Sequence, residues 1–425
     1  MKLYRYPERS EWKALAKRPA GDYSFLKKPV RKILKEVKEK GDKAVLKYTR
    51  LYDGIKLKSL LVNEKETRRA SSLVSEELKA AIQQAKTNIE TFHALQKEDI
   101  NRVETMPGIQ CWRKAVAIEK VGLYIPGGTA PLFSTVLMLA IPAKLAGCKE
   151  IVLCSPPSID GSIHPAVVYT ASLCGVTKIF KAGGVQAVAA MAYGTETIPK
   201  VFKVFGPGNP YVTFAKQLIQ TEGVAIDMPA GPSEVMVIAD ETAEPSFVAA
   251  DLLSQAEHGP NSQVILVTTD PDMISKVNAE VERQAAALPR RVFAERALKK
   301  SRIILLRSAD EALAFADLYA PEHLILCLKN AAVLAEKVTA AGSVFIGNYS
   351  PESAGDYASG TNHTLPTNGF AAAYSGVSLD SFVKKITFQE LTKEGLKNIS
   401  STVMTMAEAE GLEAHRNAIV VRLKK

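Results

Sequence analysis

Beyond residue 120 the chain alternates short apolar runs with longer stretches whose apolar residues recur every three to four positions. Runs at 121–125, 150–154, 178–181 and 201–205 predict strands. The stretches between them predict helices through Leu139 and Ala146, at 164–174, at 185–192 and on to Gln220. A second series follows, with strands at 234–239, 262–268, 303–306, 323–328 and 343–346 and helices at 271–287 and 309–319. Such alternation implies α/β architecture, parallel sheets covered by helices, and two separate series imply two α/β units. The first fifty residues read as basic helix, 87–96 continues a long amphipathic helix, and 108–117 reads as the start of a strand. From about Ser378 the chain reads as helical and less apolar, an extended arm.

At 425 residues the chain is too long for one compact core, and 47% hydrophobic with 23% charged residues is ordinary for a globular protein. A net charge of +9 first suggests a nucleic-acid partner. The basic residues are spread out, however, mostly over amphipathic helices such as 27–47 and 298–302, with no arginine-rich tract. A solvated basic surface and no nucleic acid are therefore expected. Residues 1–12 are charged and carry no apolar core of a secretion signal, and the apolar run 135–143 stops at Lys144, short of a membrane span. The five cysteines, Cys111, Cys148, Cys154, Cys174 and Cys327, are odd in number and lack CxxC spacing, so a reducing cytoplasm is expected, without disulfides or a thiolate zinc site.

The chemistry concentrates in a few stretches. DLLSQAEHGP at 251–260 reads as the end of a helix stopped by Gly259-Pro260, with Gln255 and His258 on one face and Glu257 about 100° from His258. A histidine there is ordinarily explained by the helix dipole. Glu322-His323 opens an apolar strand and suits proton transfer, since histidine titrates near neutrality. Asp356 and His363 share a long loop at 350–369 rich in glycine, serine and asparagine, and His415 follows Glu410 across Gly411. His93 and His164 read as structural or surface residues. Gln255, His258, Asp356 and His415 are candidates for a mixed N/O metal site that suits zinc. Glycine-bearing turns at Gly127-Gly128, Gly183-Gly184, Gly206/Gly208 and Gly231 are read as strand-to-helix turns that allow close approach of a phosphate, although none completes GxGxxG. The same residues would serve a zinc hydrolase or deaminase on an α/β scaffold, or a nucleotide-binding protein without catalysis.

Seven segments resemble the histidinol dehydrogenase family, in family order: VGLYIPGGTAPLFSTVLML at 121–139, FGPGNPYVTFAK at 205–216, IDMPAGPSEV at 226–235, DLLSQAEHGP at 251–260, APEHL at 320–324, GDYASGTNHTLP at 355–366 and EGLEAHRN at 410–417. The resemblance implies two Rossmann-like parallel-sheet domains, one inserted in the other: a helical segment 1–20, a first domain 21–123 and 233–377, an incomplete NAD domain 124–232, and an arm 378–425 exchanged in a homodimer with shared active sites. It implies NAD-dependent oxidation of L-histidinol to L-histidine by way of the aldehyde, the last step of histidine biosynthesis. One zinc per subunit, on Gln255, His258, Asp356 and His415, positions the substrate. His323 is implied as the base and Glu322 as the group activating water. Ser233, His363 and Glu410 match further substrate contacts, and Tyr124, Gln186 and Asn209 match NAD contacts.

Overall fold

The strand Glu234–Ala239 is buried along its whole length. Val235, Val237 and Ala239 enter one apolar core, and Met236 and Ile238 enter another on the opposite face. A strand covered by helices on both sides requires this pattern. It is central in a parallel six-stranded sheet, in the order Lys2–Arg5, Arg302–Leu305, Gln263–Thr268, Glu234–Ala239, His323–Cys327, Ser343–Ile346. A second parallel sheet follows the order Lys178–Lys181, Glu150–Ser155, Lys120–Tyr124, Lys203–Phe205, Ala225–Ile226. The computed structural model describes residues 1–19, 24–128, 131–229 and 231–424. Among these residues no helix is long and apolar enough to cross a membrane. All five cysteines are free.

Each parallel sheet is wound outward from an inner strand and then resumed on that strand's other side. In the smaller sheet the change of direction falls between Lys120–Tyr124 and Lys203–Phe205; in the larger it falls between Glu234–Ala239 and His323–Cys327. Open α/β sheets form a crevice at such a point.

The α/β class and most of the expected strands are present, with several local differences. Lys2–Arg5 is an edge strand paired with Arg302–Leu305, not part of a basic helix. It is short and mostly exposed, so it shows no alternation to read. The basic helix expected over 27–47 is divided at Gly41, whose φ of +51° separates Lys27–Lys40 from Asp42–Tyr52. The helical reading of 298–302 fails because the helix Arg291–Lys299 ends before the strand at Arg302. In the arm, Val383–Leu391 is a strand antiparallel to Ile109–Ala117, which also pairs with Arg102–Met106. It lies largely in solvent and therefore lacks an apolar face. The helices Lys393–Ala409 and Glu413–Leu423 follow.

Packing also widens the unit built on the smaller sheet. Val30, Ile33, Leu34, Val37 and Val45 share a core with Phe180, Met191 and Val204, and Ile82, Ala85 and Ile89 share one with the helix Phe133–Ala146. The helices between 27 and 94 thus cover the smaller sheet, whereas the expected boundaries grouped them with the larger one. Periodicity shows that a helix has an apolar face, not which sheet receives it. The expected boundary between 20 and 21 lies outside the described residues.

Candidate active site

A cavity of about 980 Å³ opens between the two sheets. On one side are Gly206, Pro207, Gly208 and Asn209, at the carboxyl end of Lys203–Phe205. On the other are Ser233, Glu322 and His323, at the amino ends of Glu234–Ala239 and His323–Cys327. The helix Pro245–Ala256 returns from the far end of its strand and brings Gln255 and His258 to this edge. Asp356 and His363 complete the lining. Asp356 is not in a loop as expected: Glu352–Tyr357 is a helix that sets Glu352 and Asp356 four residues apart on one face.

His323 is 3% exposed, and its Nδ1 lies 3.1 Å from the Glu234 carbonyl oxygen. A carbonyl only accepts, so Nδ1 carries the proton and donates it. Nε2 is then the nitrogen on which the ring gains or loses its second proton; it is buried, has no hydrogen-bond partner, and lies 3.6 Å from Asp356 Oδ1. Burial opposes protonation of this ring, but the carboxylates of Glu352, Glu322 and Asp356 outweigh it and hold the pKa well above 6.5. Glu322 Oε2 accepts the Glu234 N–H at 2.8 Å, and burial pushes its carboxyl up to about 8. Both residues are thus held by the backbone of Glu234.

The remaining donors form a compact group. One ligand atom each from His258, Glu352 and Asp356 lies within 4.8 Å of the other two. Asp356 Oδ1 and Glu352 Oε2 are buried without a hydrogen-bond partner. With its amide turned to suit both neighbours, Gln255 donates to Glu352 Oε1 at 2.5 Å, and its oxygen, 2.8 Å from the Glu234 nitrogen, shares that N–H with Glu322. His363 donates from Nδ1 to the Asp356 carbonyl at 2.8 Å and accepts the Thr135 hydroxyl at Nε2, 3.1 Å away. That bond joins the larger sheet's site to the helix Phe133–Ala146 of the smaller.

The sequence profile of the histidinol dehydrogenase family matches residues 16–423. The histidinol dehydrogenase of Bacteroides thetaiotaomicron is 60% identical over 423 residues, covering 100% of this chain and 99% of that protein. That of Vibrio parahaemolyticus is 52% identical over 415 residues, covering 97% and 95%. The crystal structure of histidinol dehydrogenase from Elizabethkingia anophelis superposes with a TM-score of 0.98 at 58% identity, covering 100% of this chain and 98% of that one. The chain belongs to the histidinol dehydrogenase family. It is accordingly an oxidoreductase of histidine biosynthesis, and the hydrolase and non-catalytic readings are set aside.

For a histidinol dehydrogenase the cavity gathers Ser233, Gln255, His258, Glu322, His323, Asp356, His363 and Asn209. Four expected residues are not among its lining. Glu410 and His415 are exposed, at the end of Lys393–Ala409 and in Glu413–Leu423. Tyr124 is buried and its hydroxyl accepts the Gly184 N–H at 3.0 Å; Gln186 is buried with Oε1 unpartnered. Asn209 caps Pro210–Gln220, accepting the N–H groups of Tyr211 and Val212. Gly231 lies in the loop between the strands Ala225–Ile226 and Glu234–Ala239, so it is not a strand-to-helix turn. Of the other two histidines, His93 is a core residue bonded to the Ile89 carbonyl, and His164 caps Pro165–Leu173. Sequence reasoning missed Glu352, Glu234 and Thr135. Glu352 was legible only through its four-residue spacing from Asp356, and only had that segment been read as helix.

Proposed function

We propose that the chain oxidises L-histidinol to L-histidine with NAD, through L-histidinaldehyde, and that His323 and Glu322 handle the protons. The His323 ring carries this reading: Nδ1 is committed to the Glu234 carbonyl, which leaves Nε2 as the ring nitrogen free to give up and take a proton at the cavity. With the ring neutral, Nε2 takes the hydroxyl proton of the alcohol, and later that of the aldehyde hydrate, as the same carbon gives up a hydride each time. Burial raises the Glu322 carboxyl, so its ionised form is a stronger base than a solvated carboxylate, and in that form it draws a proton from the water that adds to the aldehyde. Ser233, His363 and Glu410 contact the substrate, together with Gln255, His258, His323, Asp356 and His415.

The donor set fits zinc. His258 and Asp356 stand within ligand reach of one another, and Asp356 Oδ1 has no hydrogen-bond partner. Gln255, His258 and Asp356 would hold one ion per subunit, with His415 from a second copy of the chain. Gln255 must then turn its oxygen away from the Glu234 N–H. Zinc, when bound, supplies a Lewis-acid anchor that orients the substrate. The turns of the smaller sheet fit a dinucleotide. A Cβ on Gly206 would strike the Tyr124 carbonyl, so the chain there leaves room only for glycine, and Gln186 Oε1 awaits a donor. Tyr124, Gln186 and Asn209 would hold NAD, which takes the hydride.

Arm exchange in a homodimer accounts for the exposure of Glu410 and His415, and of the apolar Met406, Leu412 and Val421 beside them. A division into two α/β units fits the separate sheets, with the strand Lys120–Tyr124 and the helices between 27 and 94 joined to the proposed NAD unit 124–232, and five free cysteines fit a reducing cytoplasm. The test is turnover of the purified protein with histidinol and NAD, followed by NADH absorbance. Two NADH per histidinol are expected, with activity lost on chelation and restored by zinc. Absence of NADH formation would refute the reaction, and full activity in protein measured to be metal-free would refute the zinc assignment.

A further inference from the structure

Glu234 presents its backbone to the reacting residues and its side chain to an arginine. Arg18 forms a two-point pair with it, Nε to Oε1 at 2.7 Å and Nη2 to Oε2 at 2.8 Å. The Glu234 carboxylate also accepts the Asn368 N–H at 3.0 Å. Arg18 Nη2 donates further to the Ala320 carbonyl at 3.2 Å, and the guanidinium lies 3.7 Å from the centroid of the Tyr319 ring. Tyr319 is itself fixed, its hydroxyl donating to Gln263 Oε1 at 2.8 Å. Ala320 ends the helix Ala309–Tyr319 in the left-handed region, φ +48°, a conformation a residue with a Cβ holds only when its surroundings impose it. One side chain thus ties the start of Glu234–Ala239 to the turn that delivers Glu322 and His323.

We propose that Arg18 is a positioning residue for the Glu322–His323 pair, acting through Glu234 and Ala320. The inference rests on the reading of those two residues as proton carriers. The planar fork of arginine meets both carboxylate oxygens and stacks on the ring at once, whereas a lysine ammonium supplies the charge at a single point. Charge alone therefore would not hold the Glu234 peptide, and with it the Nδ1 bond that fixes the His323 tautomer.

Arg18→Lys and Arg18→Ala, in the full zinc-loaded chain, test this by steady-state kinetics with histidinol and NAD alongside thermal unfolding and zinc content. Arg18→Lys is expected to lower kcat about ten- to hundredfold, the size of a small misplacement of reacting groups. KM for histidinol should stay within about twofold, as for an interaction felt in the transition state. Zinc content should not change. Added ethylguanidinium should recover part of kcat in Arg18→Ala and have no effect on the unsubstituted protein. Wild-type kcat per folded molecule in Arg18→Lys would overturn the inference, as would a folded Arg18→Ala that is slow and not rescued. Should Arg18→Ala not fold, as removal of one partner of a buried pair allows, Arg18→Lys decides alone. His323→Asn separates the two levels. Undiminished activity there defeats the reading of the base itself, whereas a slow His323→Asn beside a normal Arg18→Lys defeats only the role of Arg18.

Discussion

His323 illustrates how a main-chain carbonyl can decide the protonation pattern of a side chain. His323→Asn keeps much of the shape and removes the proton acceptor, so kcat should fall about 10²–10⁴-fold, for alcohol and aldehyde alike. Glu322→Gln should leave the alcohol step near normal and slow the aldehyde step, since only the latter adds water. Separate stopped-flow assays of the two substrates check this, and equal slowing of both would undo the division of roles. Asp53 gives an independent test of burial. Its Oδ2 is buried without a partner, and burial raises the carboxyl from 3.8 to about 6. The folded chain holds that proton more tightly than the unfolded one, which stabilises the fold below about pH 4 and is lost as pH rises through about 6. Asp53→Asn removes the ionisation, so its Tm should match wild type near pH 4 and exceed it above pH 6.

The turn after Lys203–Phe205 shows why some elements tolerate no change. Gly206 has φ +122°, its N–H donates to Asp227 Oδ2 at 2.7 Å, and its carbonyl accepts from Lys216 Nζ at 2.9 Å. Lys216 and Asp227 form a buried ion pair around it. Gly206→Ala should cost about 1–3 kcal/mol in denaturant unfolding, the size of a strained backbone residue. It should also raise KM for NAD more than KM for histidinol. Much of the fold was legible at this level, because double-sided burial writes continuous apolar runs into strands such as Glu234–Ala239. Edge and solvent-facing strands, Lys2–Arg5 and Val383–Leu391, leave no such mark. The cavity's lining was legible where a motif names residue types, as at Glu322-His323 and His258. Its surroundings were not legible where the contact is made by a backbone atom, as at Glu234, or rests on a short helix inside a glycine-rich stretch, as at Glu352.

Across the whole chain, the exposed positions of Glu410 and His415 lead to a prediction about assembly. His258→Ala and His415→Ala proteins, each inactive, should regain about a quarter of wild-type activity when unfolded and refolded together, because half the two-fold dimers are mixed and each of those has one intact site. No recovery, with mixed dimers shown by mass spectrometry, would place both residues in a site made by one chain. The cavity itself lies between the carboxyl edge of one sheet and the amino edge of another. The residues proposed to handle protons sit on one bank and the proposed dinucleotide turns on the opposite bank, in segments that fold around different cores. On the proposed assignment the molecule is modular: selection for a different nicotinamide cofactor would work on the turns around Tyr124, Gly184 and Asn209 while leaving Glu322 and His323 intact, so cofactor preference and bond chemistry would be open to separate evolution.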